Sequence, residues 1–61
     1  MIPQEGENWK HRKLGNTLWI VEVIPSPWKE EGSIVRFQAV EAADVEDMDL
    51  DEFLETYELD E

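Results

Sequence analysis

Cysteine is absent from the 61 residues, which rules out disulfide staples and thiolate metal sites. Its absence fits a reducing compartment. Long apolar runs are missing too. The longest, Leu18 to Val21, is far short of the roughly 20 residues a membrane helix needs. No basic segment precedes an apolar run of about 7–15 residues, so a signal peptide is not expected. With Met1-Ile2-Pro3 reading as a native start, the expectation is a soluble protein of the cytoplasm, with no membrane partner. Basic residues are scarce, and none lies beyond Arg36.

That last scarcity decides where the charge sits. Up to Val40, Glu5, Glu7, Glu22, Glu30 and Glu31 are balanced by Lys10, Arg12, Lys13, Lys29 and Arg36. From Glu41 onward there are eleven acids and no base, so the whole formal charge of −11 resides in the last third. A field of that sign disfavours direct binding to nucleic-acid phosphate and favours a basic partner.

The length allows one domain, residues 1–61, burying only about 60% of its unfolded surface. Residues 1–8 contain Pro3 and Gly6 among polar neighbours and read as an irregular arm. Strands are expected within residues 9–48. Trp9 to Lys13 comes first, followed by a tight turn at Leu14-Gly15-Asn16, where Gly15 and Asn16 both tolerate positive φ. Thr17 to Ile24 is β-branched and aromatic, and its apolar residues point to both faces. Pro25 and Pro27 end it. Ser33 to Val40 alternates Val35, Phe37 and Ala39 with Arg36 and Gln38, giving one buried and one wet face. A short edge strand fits Val45 to Met48.

Residues 49–58 have helical spacing. Leu50, Phe53, Leu54 and Tyr57 share one stripe, and Asp51, Glu52, Glu55 and Glu58 lie opposite. Asp49 occupies the N-cap position, with Glu52 three residues later as in a capping box. So short a helix melts in water unless docked. Residues 59–61 are expected to fray, because acids oppose the negative helix end. The predicted core is Trp19, Val21, Val23, Val35, Phe37, Ala39, Phe53, Leu54 and Tyr57.

The pattern Trp9-x-His11-Arg12-Lys13-x-Gly15, the valine-rich strand, Val35-x-Phe37 and Asp51-Glu52-Phe53-Leu54-x-x-Tyr57-Glu58 resembles a group of small phage and prophage proteins. The likeness runs from Trp9 to Glu58. It implies a mainly β fold with one short C-terminal helix: an SH3-like small barrel of three to five antiparallel strands. It carries no catalytic residues, and it favours a host-directed inhibitor. The proline-bracketed loop holding Trp28 and the very acidic end depart from that pattern.

His11 is the only imidazole and stands between Lys10 and Arg12, a poor setting for a triad. The chain is too short to enclose a sugar cleft between paired carboxylates. No catalytic role is expected. Asp47, Asp49, Asp51 and Glu58 match positions 1, 3, 5 and 12 of a calcium loop, but Glu52 stands where that loop needs glycine. No metal or cofactor is therefore expected. Lys10, Arg12 and Lys13 are expected to pair internally with the downstream acids.

The acidic surface carries the functional reading. Asp44, Glu46, Asp47, Asp51, Glu52, Glu55 and Glu58, with Trp28 as aromatic anchor, are the expected partner-binding residues. The expected partner is a basic protein surface, such as that of a nucleic-acid-binding host protein. The expected role is a non-enzymatic inhibitor or modulator of the anti-defence kind, imitating DNA. The competing reading is a structural or adaptor module, homodimeric or docked through Trp28 or Ile34. A plain solvated acidic face is the bland account of the same residues.

Overall fold

The computed structural model describes residues 2–60; Met1, and Glu61 in the stretch expected to fray, lie outside the described residues. Five strands and one helix follow in order: β1 (Asn8–His11), β2 (Thr17–Pro25), β3 (Ser33–Ala39), β4 (Val45–Asp49), α1 (Leu50–Thr56) and β5 (Tyr57–Leu59). All ladders are antiparallel, and the sheet order is β4-β3-β2-β1-β5. The fold is thus a small α+β domain, mainly β, with one short helix near the C-terminus. β4 and β5 are the two edges and share no ladder, so the sheet is open. α1 connects those edges and packs on β3, β4 and β5.

The core lies between α1 and one sheet face. Trp9, Leu18, Ile20, Val35, Phe37 and Phe53 are buried together there, with Val23, Met48, Leu50, Leu54, Tyr57 and Leu59 packed around them. Phe53 is fully buried, its ring 5.3 Å from Trp9, 5.5 Å from Phe37 and 4.9 Å from Tyr57. Such contacts hold a seven-residue helix that has no stability alone.

β2 faces the opposite way from the predicted phase. Leu18 and Ile20 point into the core, whereas Trp19 and Val21 are only half-buried. The cause is pairing: Ile20 sits opposite Phe37, and Val23 opposite Val35, with a β-bulge between Ile20 and Glu22. The extra residue returns Val23 to the inner face three positions after Ile20. Ala39 and Leu54 lie at the margin of the core and are half-buried, as is Tyr57. Ile34 is fully buried on the outer face of the sheet, opposite Ile24 and Asp49.

The ends are tied down. Pro3 is fully buried, and the Gly6 N–H donates to the Ile20 carbonyl at 2.8 Å. The expected turn follows β1, and Gly15 takes it at φ +78°, while Asn16 keeps negative φ. Tyr57 and Glu58 leave the helix for β5, and Leu59, expected to fray, pairs with Trp9. Strand pairing satisfies backbone groups that a longer helix with an acidic end would leave unopposed.

Candidate functional site

α1 is docked through Phe53, so its opposite side faces solvent. Asp51, Glu52 and Glu55 are exposed there, and none forms an ion pair among the described residues. Neighbours three or four apart on a helix stand about 5–6 Å from one another. This produces a short line of carboxylates on a fixed backbone.

The other expected acids divide between the two sides of the sheet. Glu46 is exposed and pairs in register with Phe37, which places it on the helix side. Its carboxylate acts on Tyr57, whose phenol is pushed above its ordinary range first by burial and then by this charge. Asp44 is exposed in the turn before β4. Asp47 lies on the opposite face, where Arg36 donates to it at 2.9 and 3.3 Å. Arg36 also reaches Glu22 at 2.7 Å, forming a charged rung across β2, β3 and β4. The hydrogen bonds from Arg36 to Asp47 hold the Asp47 carboxyl below the usual range. Glu58 lies 3.8 Å from Arg12 and is half-buried. Asp47 and Glu58 are thus spent internally; of the expected acids, Asp44, Glu46, Asp51, Glu52 and Glu55 form no ion pair among the described residues.

Asp49 holds the helix N-cap position but makes no side-chain capping bond. Its carboxylate instead accepts from Lys29 Nζ at 2.9 Å and from the Trp28 indole Nε1–H at 3.3 Å. The Lys29 bond, reinforced by charge, keeps the Asp49 carboxyl below its ordinary value. The expected capping box therefore gives way to a clamp between the β2–β3 loop and the head of α1. Trp28 remains 59% exposed despite that tether. Ile34, the other apolar candidate for docking, is buried and offers no surface.

The basic cluster behaves differently from expectation. Of Lys10, Arg12 and Lys13, only Arg12 forms an ion pair among the described residues, and that one is long. Arg12 mainly caps the helix, donating from Nη2 and Nε to the Leu54 carbonyl at 2.9 and 3.3 Å. It bounds a shallow groove of about 360 Å³ with His11, Lys13, Glu55 and Thr56, so the anionic line ends at a cationic margin. His11 Nδ1 accepts from the backbone N–H groups of Lys13 and Leu14 at 3.1 and 3.0 Å. The imidazole is thus a turn-organising group. These long-range roles of Arg12 and Asp49 have no local sequence signal.

No described helix is long and apolar enough to cross a membrane. No family model, curated protein or solved structure matches the chain.

Proposed function

We propose that this protein is a small non-enzymatic modulator that binds a basic surface of a host protein, imitating the negative charge of nucleic acid. The observation that carries this reading is the row Asp51, Glu52 and Glu55, exposed and outside every ion pair among the described residues, on a helix fixed by Phe53. A carboxylate line on a docked helix costs little ordering entropy on binding, unlike a flexible acidic tail. Glu46 and Asp44 extend the charge beyond the helix. The reading of the fold as an SH3-like barrel is supported by the strand order, with a helix between the last two strands. Together with the phage-type sequence pattern it favours an inhibitor of the anti-defence class acting in the host cytoplasm.

Capture of a DNA-binding host protein on the immobilised chain, at low and high salt, tests the proposal. Association should weaken steeply as salt rises and fall further with Asp51→Asn, Glu52→Gln and Glu55→Gln together. Binding indifferent to both changes would overturn it.

The adaptor reading draws on other features: Trp28 and Val45 are exposed, and β4 is an edge strand. Self-association that ignores salt and disappears in Trp28→Ala would favour it.

A further inference from the structure

The indole is tethered to the head of the helix that carries the unpaired acids. Trp28 is pinned through Nε1–H to Asp49 across a sequence gap of 21 residues, while its ring stays 59% exposed. Asp49 is the residue before α1, and Asp51 and Glu52 follow in its first turn. A small cleft of about 80 Å³ between loop and helix is lined by Lys29, Gly32, Ser33, Asp49, Leu50 and Asp51. Lys29 is held on Asp49 at 2.9 Å and feels the charges of both Asp51 and Glu52. Asp49, Asp51 and Glu52 against Lys29 leave a net charge of two negatives at the head of α1, where the indole is tethered.

A solvent-facing indole, fixed in orientation by its own N–H, combines an aromatic face with nearby anions. From this we infer that the Trp28 platform selects arginine over lysine in the partner's basic segment, an inference that rests on the function proposed above. A guanidinium is planar and weakly hydrated, so it stacks on an indole while its edge donates to carboxylates. An ammonium satisfies the carboxylates but gains less from the ring. The tether to Asp49 removes rotamer freedom before binding, so less is lost on contact. The occupant is a protein segment of arginine-rich composition, chosen by charge complementarity with this patch.

Short capped peptides of alternating arginine and alanine, and their lysine counterparts of equal charge, test this by calorimetric titration of the full chain. The arginine peptide should bind about 2- to 5-fold tighter, the gain of one exposed cation–π contact. Trp28→Ala should bring arginine affinity down to the lysine level and leave lysine affinity nearly unchanged. Trp28→Phe, which keeps an aromatic ring but loses the tether, should retain part of the preference. Asp51→Asn with Glu52→Gln should weaken both peptides alike. Equal binding of the two peptides, or a preference surviving Trp28→Ala in a folded variant, would overturn the inference while leaving the general reading intact. Failure of both peptides to bind would remove both.

Discussion

Arg12 closes the C-terminal end of α1 from outside the helix: its guanidinium donates twice to the Leu54 carbonyl oxygen, 42 residues further along the chain. The last turn of α1 contains no base. A cation from the β1–β2 turn therefore opposes the negative helix end, where local sequence supplies only acids. The Arg12 backbone N–H also donates to the Thr56 carbonyl at 3.0 Å.

Arg12→Ala should lower stability by about 1 kcal/mol, the range of a net charge-assisted hydrogen bond at a partly exposed site. Arg12→Lys keeps the charge but not the forked donors, so it should recover only part of the loss. Urea denaturation followed by far-UV circular dichroism measures both. Equal stability of the alanine variant and the parent would mean that the Leu54 contact contributes nothing.

Phe53 is the deepest side chain of α1 and touches the rings of Trp9, Phe37 and Tyr57. Phe53→Ala should cost about 3–5 kcal/mol through lost burial and a residual cavity. A domain of this size has a total stability of similar order, so the variant should be largely unfolded at room temperature. Phe53→Leu, closer in volume, should fold with a lowered urea midpoint. One-dimensional proton NMR dispersion distinguishes the two outcomes.

The sequence was most legible where two residue classes alternate. In β3, Val35 and Phe37 against Arg36 and Gln38 identify the inner face correctly. In α1, the spacing of Leu50, Phe53 and Leu54 identifies the docking stripe. β2 was illegible in phase because Leu18, Trp19, Ile20 and Val21 are all apolar. Pairing with β3 and the bulge before Glu22 decide which of them turn inward. Tyr57 fits the helical stripe and also alternates with Leu59 as a strand does; pairing of both with β1 settles the choice. Trp9, a principal core residue, lies on a strand of four residues, too short for its alternation to stand out. At the site, the exposed helix acids followed from periodicity. The loss of Asp47 to Arg36, and of Asp49 to Lys29 and Trp28, depends on tertiary placement alone.

Asp47 supplies a pH signature. Its carboxyl is held below the ordinary range, first by the hydrogen bond from Arg36. The unfolded chain therefore takes up this proton before the folded one does, and stability falls as acid is added. The contribution is complete above the unfolded carboxylate value of about 3.9 and is lost as pH drops through the lower folded value. Asp49, lowered by Lys29, acts in the same direction. Asp47→Asn should be less stable than the parent at neutral pH and lose less on acidification. The two urea midpoints should converge toward the acid end, and parallel curves would contradict the Arg36 pairing.

Tyr57 reports on the gap between the sheet edges. It is the only tyrosine, so tyrosinate absorbance follows it alone. Its phenol is raised above the ordinary value of about 10, first by burial and then by the Glu46 charge. A raised phenol means that the unfolded chain ionises first, so stability is complete below that ordinary value and declines as pH rises beyond it. Tyr57 belongs to β5 and Glu46 to β4, the two edges that share no ladder. Influence of one on the other requires the open sheet to curl until its edges approach on the helix side. Glu46→Gln should therefore lower the tyrosinate midpoint while leaving it above the free-phenol value, because the burial contribution persists. Glu55→Gln, on the outer side of α1, serves as the control and should shift it less. If removing the Glu46 charge leaves the midpoint where it was, the Glu46 carboxylate does not act on the phenol and burial alone raises it.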